Sequence, residues 1–252
     1  GLTQTDLHPD LIELARTPRL FALVVRFRDR LIEAGQVTVH RLLWEYGRDT
    51  LGVRAGKSFS ENEWQTWLKA IAQKYRDGIK EHYTVKSLGE SVSRPDLNES
   101  ENYARLSDII DGRFAESDLS DNLHFTPTVI EHAFGVALLT HLDTVAEANF
   151  TSLHTALTQW LDPIVGLDER AEILRAAVSI LLEQDSKPPV QAEVLVTTWL
   201  QTQNVTDNHR RELAALAPNL INALLVAIEQ SDSDTHASAR LWAVNALRAI
   251  PR

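Results

Sequence analysis

Along nearly all of the 252-residue chain the apolar residues recur three and four positions apart, the spacing that places them on one face of a helix. A chain patterned this way buries its apolar surface by stacking helix on helix. Helix breakers are few, with 10 Gly and 9 Pro in the whole sequence. The expectation is therefore a mainly α fold. The first helix starts cleanly, with Thr17 as N-cap and Pro18 at the first helical position. It turns Leu20, Phe21, Val24, Phe27, Leu31 and Ile32 to one side and stops at Gly35. Thr38 caps a second helix with Val39, Leu42, Leu43 and Tyr46 inward, so residues 1–57 read as a helical hairpin.

Residues 58–148 form the next segment. Ser60 followed by Glu63 has capping-box spacing, in which each side chain reaches the other's backbone N–H. Trp64, Trp67, Leu68, Ile71 and Tyr75 then mark a buried stripe that ends at Gly78. A shorter helix follows from Thr84 to about Val92 and is broken by Ser93-Arg94-Pro95-Asp96, because proline lacks a donor and disfavours helix at the preceding residue. Another helix, capped by Ser100, carries Tyr103, Leu106, Ile109 and Ile110 inward and stops at Gly112. Only the next stretch departs from helical period. Arg113 to Glu116 and Leu123 to Thr126 alternate roughly and are joined by the polar residues 117–122, the pattern of a small β-hairpin. Thr126-Pro127 then opens a long helix through Ile130, Phe134, Ala137, Leu138 and Leu142. Three helices, a hairpin and a closing helix is the order of a winged-helix-like domain.

From residue 149 to 252 the pattern is helix after helix: Thr151 to Leu161, Asp168 to Glu183, Pro189 to Gln201, Asp207 to Gln230 with a break near Pro218, and Thr235 to Ile250. The segments Ile173 to Val178 and Leu241 to Ala246 look alike. Helical pairs of about 40 residues suit a HEAT-like α-solenoid, with an irregular helical bundle as the other arrangement.

Composition excludes several chemistries. The chain has no Cys, so disulfides, thiolate zinc sites and cysteine nucleophiles are out. It has no Met and begins with Gly1, which reads as a fragment or a tag remnant. The longest apolar runs, such as Phe134 to Leu139, fall short of the roughly 18 residues of a membrane span. No signal peptide is legible, so no membrane association and a cytoplasmic setting are expected. Gly52 to Ser58 ends like a phosphate-binding loop in Gly56-Lys57-Ser58, but the position that needs its first glycine is Leu51, and no strand precedes it. Nine histidines invite a search for metal ligands. Glu131-His132 comes nearest to an inverted zincin motif, whose first histidine is here Thr128. His124, His132 and His141 read better as surface or capping residues, and Asp108 and Asp111 as a solvated face. No catalytic residue, cofactor or metal site is expected within the chain.

Charge is uneven. The formal net charge is −10, yet arginines concentrate in the first quarter, where Arg26, Arg28, Arg30 and Arg41 make a candidate basic partner surface. The stretch from Glu99 to Glu147 is acidic. A winged helix that binds DNA usually does so through its third helix; here that helix carries Glu101, Asp108 and Asp111 against a single Arg105, and phosphates would repel it.

Leu14-Ala15-Arg16-Thr17-Pro18-Arg19-Leu20, followed by an apolar helix and by Val37-Thr38-Val39-His40-Arg41-Leu42-Leu43, resembles the region just after the nucleotide-binding core of NACHT-type signal-transduction ATPases, the STAND class. Leu123 to Phe134 is similar to the end of their winged helix. The likeness covers about residues 10–145 and rests on pattern more than on particular residues. Its histidine position, which in the family senses nucleotide phosphates, is occupied here by Pro127, so nucleotide sensing does not carry over. The resemblance implies an ATPase core upstream of Gly1, sensor repeats in 149–252, and a two-state switch in signalling or defence. Two function readings follow: a non-catalytic regulatory and sensor segment of a STAND-type NTPase, whose partner is a protein domain, or a free-standing winged-helix regulator binding DNA through Arg26, Arg28 and Arg30.

Overall fold

The structure, a computed structural model, describes residues 18–33, 42, 45–46, 61–76, 83–111, 115–117, 122–125, 127–164, 166–182, 188–202, 206–231 and 236–250. The fold is mainly α, and the chain divides into two compact units, 1–133 and 134–252. The division falls inside one helix, upstream of the 148/149 position read from the sequence.

In the first unit, α1 (Pro18–Glu33) buries Val24, Phe27 and Leu31 against Leu42, with Leu23 and Tyr46 packed on this cluster. Residues 42, 45 and 46 are helical. The expected caps Thr17, Gly35, Thr38 and Ser60 lie outside the described residues. Helix α2 (Glu61–Arg76) buries Trp67, Leu68, Ile71 and Ala72. Strand β1 (Tyr83–Thr84) runs directly into α3 (Val85–Val92). There Thr84 and Ser87 form a reciprocal capping box, Ser87 N–H donating to Thr84 Oγ1 at 3.1 Å and Thr84 N–H to Ser87 Oγ at 2.9 Å.

Helix α4 (Glu99–Asp111) follows. Its cap is Asn98, not Ser100 as the sequence reading has it: Glu101 N–H donates to Asn98 Oδ1 and Asn98 N–H to Glu101 Oε2, each at 3.0 Å. Asn98 wins because Glu101 stands three residues on, where its carboxylate can return the bond. The expected hairpin is there as β2 (Ala115–Ser117) and β3 (Asn122–Phe125). A third strand was not expected: β1 pairs with β3, giving an antiparallel sheet of order β1-β3-β2 with Tyr83 opposite Leu123 and Ala115 opposite Phe125. Leu123 and Phe125 are buried while His124 is exposed, the period of two of a half-covered strand. Phe125 meets Trp67 of α2 edge-on at 5.5 Å, which ties sheet to helix.

Helix α5 (Pro127–Asp143) begins in the first unit and ends in the second. The array continues through α6 (Phe150–Leu161), α7 (Leu167–Leu182), α8 (Pro189–Gln201), α9 (Asp207–Leu216), a 3-10 turn at Ala217–Asn219, α10 (Ile221–Gln230) and α11 (Ala237–Arg248). Two layers result. Helix α8 packs on α6 and on α10; α9 packs on α11, Gly135 of α5 abuts α7, and Arg175 of α7 pairs with Glu212 of α9. Contacts of α7 with α8 and of α10 with α11 join the layers. Helices α5, α7 and α9 start 40 residues apart, at Pro127, Leu167 and Asp207. The look-alike segments starting at Ile173 and Leu241 lie on α7 and α11, both in the layer that α5 opens. Helix α8 is the most enclosed, with Val194, Leu195, Val196, Trp199 and Leu200 buried. Each fully buried Val or Leu contributes about 1.5–3 kcal/mol, so this helix anchors the array.

Candidate functional site

The basic surface read from the sequence splits when folded. Arg26 and Arg30 are one turn apart on α1, and their guanidinium centres lie 5.3 and 5.8 Å from the Phe27 ring. Arg30 also reaches the buried Glu45 at 3.5 Å. Arg28 lies half-buried on another side of the helix, 3.6 Å from Asp29. Arg41 is outside the described residues, as is the 52–58 string that resembles a phosphate-binding loop. On the face away from the core, α1 exposes Phe21 and Val25 at 54% and 59%.

Helix α4 turns its one arginine inward. Arg105 is 2% exposed; its Nε donates to the Val92 carbonyl at 3.0 Å and its Nη2 to Glu63 at 3.1 Å. The same Glu63 oxygen accepts from Arg94 at 3.2 Å, and Arg94 forks onto Asp96 at 2.6 and 2.9 Å. Burial pulls the Arg105 pKa down, and Glu63 partly offsets this. The hydrogen bond from Arg94 holds the Asp96 carboxyl below its usual range. The described outward residues of α4 are Glu99, Ser100 and Tyr103, the last 70% exposed. The sequence reading placed Tyr103 inward; the Asn98 cap and the anchoring of Arg105 and Leu106 in the core rotate it to solvent.

A polar cluster links α7 to α9. Glu172 accepts from Arg175 at 2.6 Å and faces His209 Nε2 at 2.8 Å; Glu212 takes Arg175 at 2.9 Å and Ser179 Oγ at 3.4 Å. His209 Nδ1 accepts the Thr206 N–H in a capping box, which assigns the ring's remaining proton to Nε2 facing Glu172. Burial raises the Glu172 pKa, but His209 and Arg175 together outweigh it and leave it lowered. Serine and histidine here meet different carboxylates, so the cluster has the geometry of a strut between helices.

The histidine readings need one correction. His132, read as a surface or capping residue, is wholly buried in α5, and burial lowers its pKa to about 4. The reason is that α5 is enclosed on several sides, with Val129, Ala133, Phe134, Val136, Leu138, Leu139 and Leu142 also buried. His124 is exposed and His141 half-buried. Among the described residues no group of three His, Asp or Glu could hold a metal ion. No single described helix is long and apolar enough to cross a membrane.

One feature was not legible in the sequence. Between α9 and α11 runs a groove of about 280 Å³ lined by Arg210, Leu213, Ala214, Leu241, Trp242 and Ala246. Arg210 stacks with its guanidinium centre 4.0 Å from the Trp242 centroid. The residues come from two helices 30 positions apart, so no local pattern marks them. No protein-family model matches the chain, and no curated protein and no solved structure matches it.

Proposed function

We propose that this chain is a regulatory and sensor segment of a STAND-type NTPase, acting through protein contacts in cis or in trans. In this reading residues 61–125 are a winged helix, supported by the order helix, strand, two helices, hairpin and by the strand order β1-β3-β2. The array from α5 onward is a HEAT-like sensor region, supported by its two layers and 40-residue step. Its implied mechanism is a two-state switch in which a partner bound to the array releases an inhibited packing upstream.

The observation that carries the protein-contact reading over DNA binding is the state of α4. In a winged helix this is the helix placed against the groove, yet its sole arginine is buried on Val92 and Glu63 while Glu99 and Tyr103 face solvent. A helix with that surface gains little from phosphates and loses by repulsion. The alternative, a winged-helix DNA-binding regulator, falls back on Arg26, Arg28 and Arg30, of which Arg30 and Arg28 already meet Glu45 and Asp29. The deciding test is the coding sequence on either side of the chain. An upstream Walker A loop on a strand-to-helix turn supports the STAND reading, and a start codon immediately before Leu2 removes it.

A further inference from the structure

The groove between α9 and α11 has room for one large apolar side chain rather than a drug-sized ligand, whose sites run from about 300 to 1,000 Å³. Ala214 and Ala246 are its small residues, and Leu241 stands beside them 56% exposed. A groove between two helices that offers a tryptophan, a leucine and an arginine has the composition of an interface centre, where Trp and Arg are enriched.

Charge decides what enters. Among the described side chains, α9 and α11 carry four exposed arginines, Arg210, Arg211, Arg240 and Arg248. The carboxylate described on these helices, Glu212, is turned to the α7 side and held by Arg175 at 2.9 Å. A guanidinium stacked on an indole is pre-organised, and its N–H edge matches a carboxylate in two-point geometry.

We propose that this groove seats an acidic amphipathic helix of a partner protein. One apolar side chain of that helix enters beside Leu213 and Leu241, and its carboxylates meet Arg210. The inference rests on reading the array as a partner-binding surface and names the partner's chemistry.

The test is selection of random displayed peptides on the intact chain, followed by fluorescence anisotropy of the best synthetic peptide with Arg210→Glu, Leu241→Asp and, as a control away from the groove lining, Arg240→Glu. The expected peptides combine one Leu, Phe or Trp with at least two Asp or Glu. Their affinity falls about tenfold or more with either groove variant, the size of a residue central to an interface, and less than about threefold with the control. Both groove substitutions are at exposed positions, and an unchanged melting temperature separates lost binding from lost folding. No enrichment, enrichment of neutral or basic peptides, or binding indifferent to both groove variants overturns the proposal. Peptides that bind elsewhere on 134–252 overturn the groove while leaving the sensor reading standing. Absence of an upstream Walker A loop does the reverse.

Discussion

Replacing Gly135 with alanine tests how closely α5 and α7 approach. A Cβ built at Gly135 would lie 2.8 Å from Ile180 Cδ1, 3.1 Å from the Ala177 backbone N and 3.2 Å from the Ala176 backbone C. Carbon contacts are most favourable near 3.5–4.0 Å, so all three are inside the optimum. Ile180 Cδ1 is the end of a flexible side chain and can swing away. The two backbone atoms move only if one helix shifts against the other. Overpacking of this kind costs about 1–3 kcal/mol, while exchanging a mid-helix glycine for alanine returns about 1 kcal/mol of helix propensity. The net expectation is a loss of about 1 kcal/mol. Gly135→Leu should cost clearly more, because every added atom points at the α7 backbone. Urea unfolding followed by the fluorescence of the buried Trp160 and Trp199 reads the change as a lower midpoint at unchanged slope. Ile180→Val deletes the 2.8 Å contact and should make the alanine substitution less costly than it is in the parent chain. A raised midpoint for Gly135→Ala, with no dependence on Ile180, would refute the close-packing argument.

Further outcomes follow from the buried polar groups. His132 is neutral in the fold with its pKa lowered to about 4, so the unfolded chain binds the extra proton first. Stability from this residue is complete above the unfolded value near 6.5 and declines as pH falls toward 4, at up to about 1.4 kcal/mol per pH unit; His132→Leu should flatten that slope in urea midpoints taken from pH 7 to 4.5. Arg105→Met strands the Val92 carbonyl and a partly exposed Glu63, with an expected loss of about 2 kcal/mol, and Glu63→Gln measured beside it should soften that loss. Trp199→Ala should cost about 3–5 kcal/mol by cavity formation. Trp199→Phe should cost much less, since it also removes an indole N–H buried without a hydrogen-bond partner; equal losses for the two would show that the N–H is satisfied in solution.

Much of the architecture was legible because helical period is a local signal. The break near Pro218 appears as the 3-10 turn between α9 and α10, and Pro189 opens α8 as expected of a proline at a first helical position. The hairpin was legible from its alternation and polar turn. Strand β1 was not, since two residues are too few to show a period, and it exists only because β3 offers an edge to pair with. The orientation of Tyr103 was missed for a related reason. Periodicity places Tyr103 and Leu106 on one stripe, but a buried arginine salt-bridged to a glutamate 42 positions away decides which edge of that stripe meets the core. His132 was missed because a histidine on an otherwise apolar helix carries no local mark of burial. The arginines of α1 were found as residues but not as a surface, since their sharing among Phe27, Asp29 and Glu45 depends on the next helix.

Helix α5 has a consequence for anyone who would take this protein apart. A cut at 148/149, which the sequence invites, leaves the first half holding a helix whose Phe134, Leu138, Leu139 and Leu142 have lost the neighbours that bury them. A cut at 133/134 severs a continuous helix at its middle. Neither fragment ends where its packing ends. The chain is therefore better shortened from its far end, repeat by repeat, than halved, and a protease probing the folded protein should find this midpoint among its most resistant stretches.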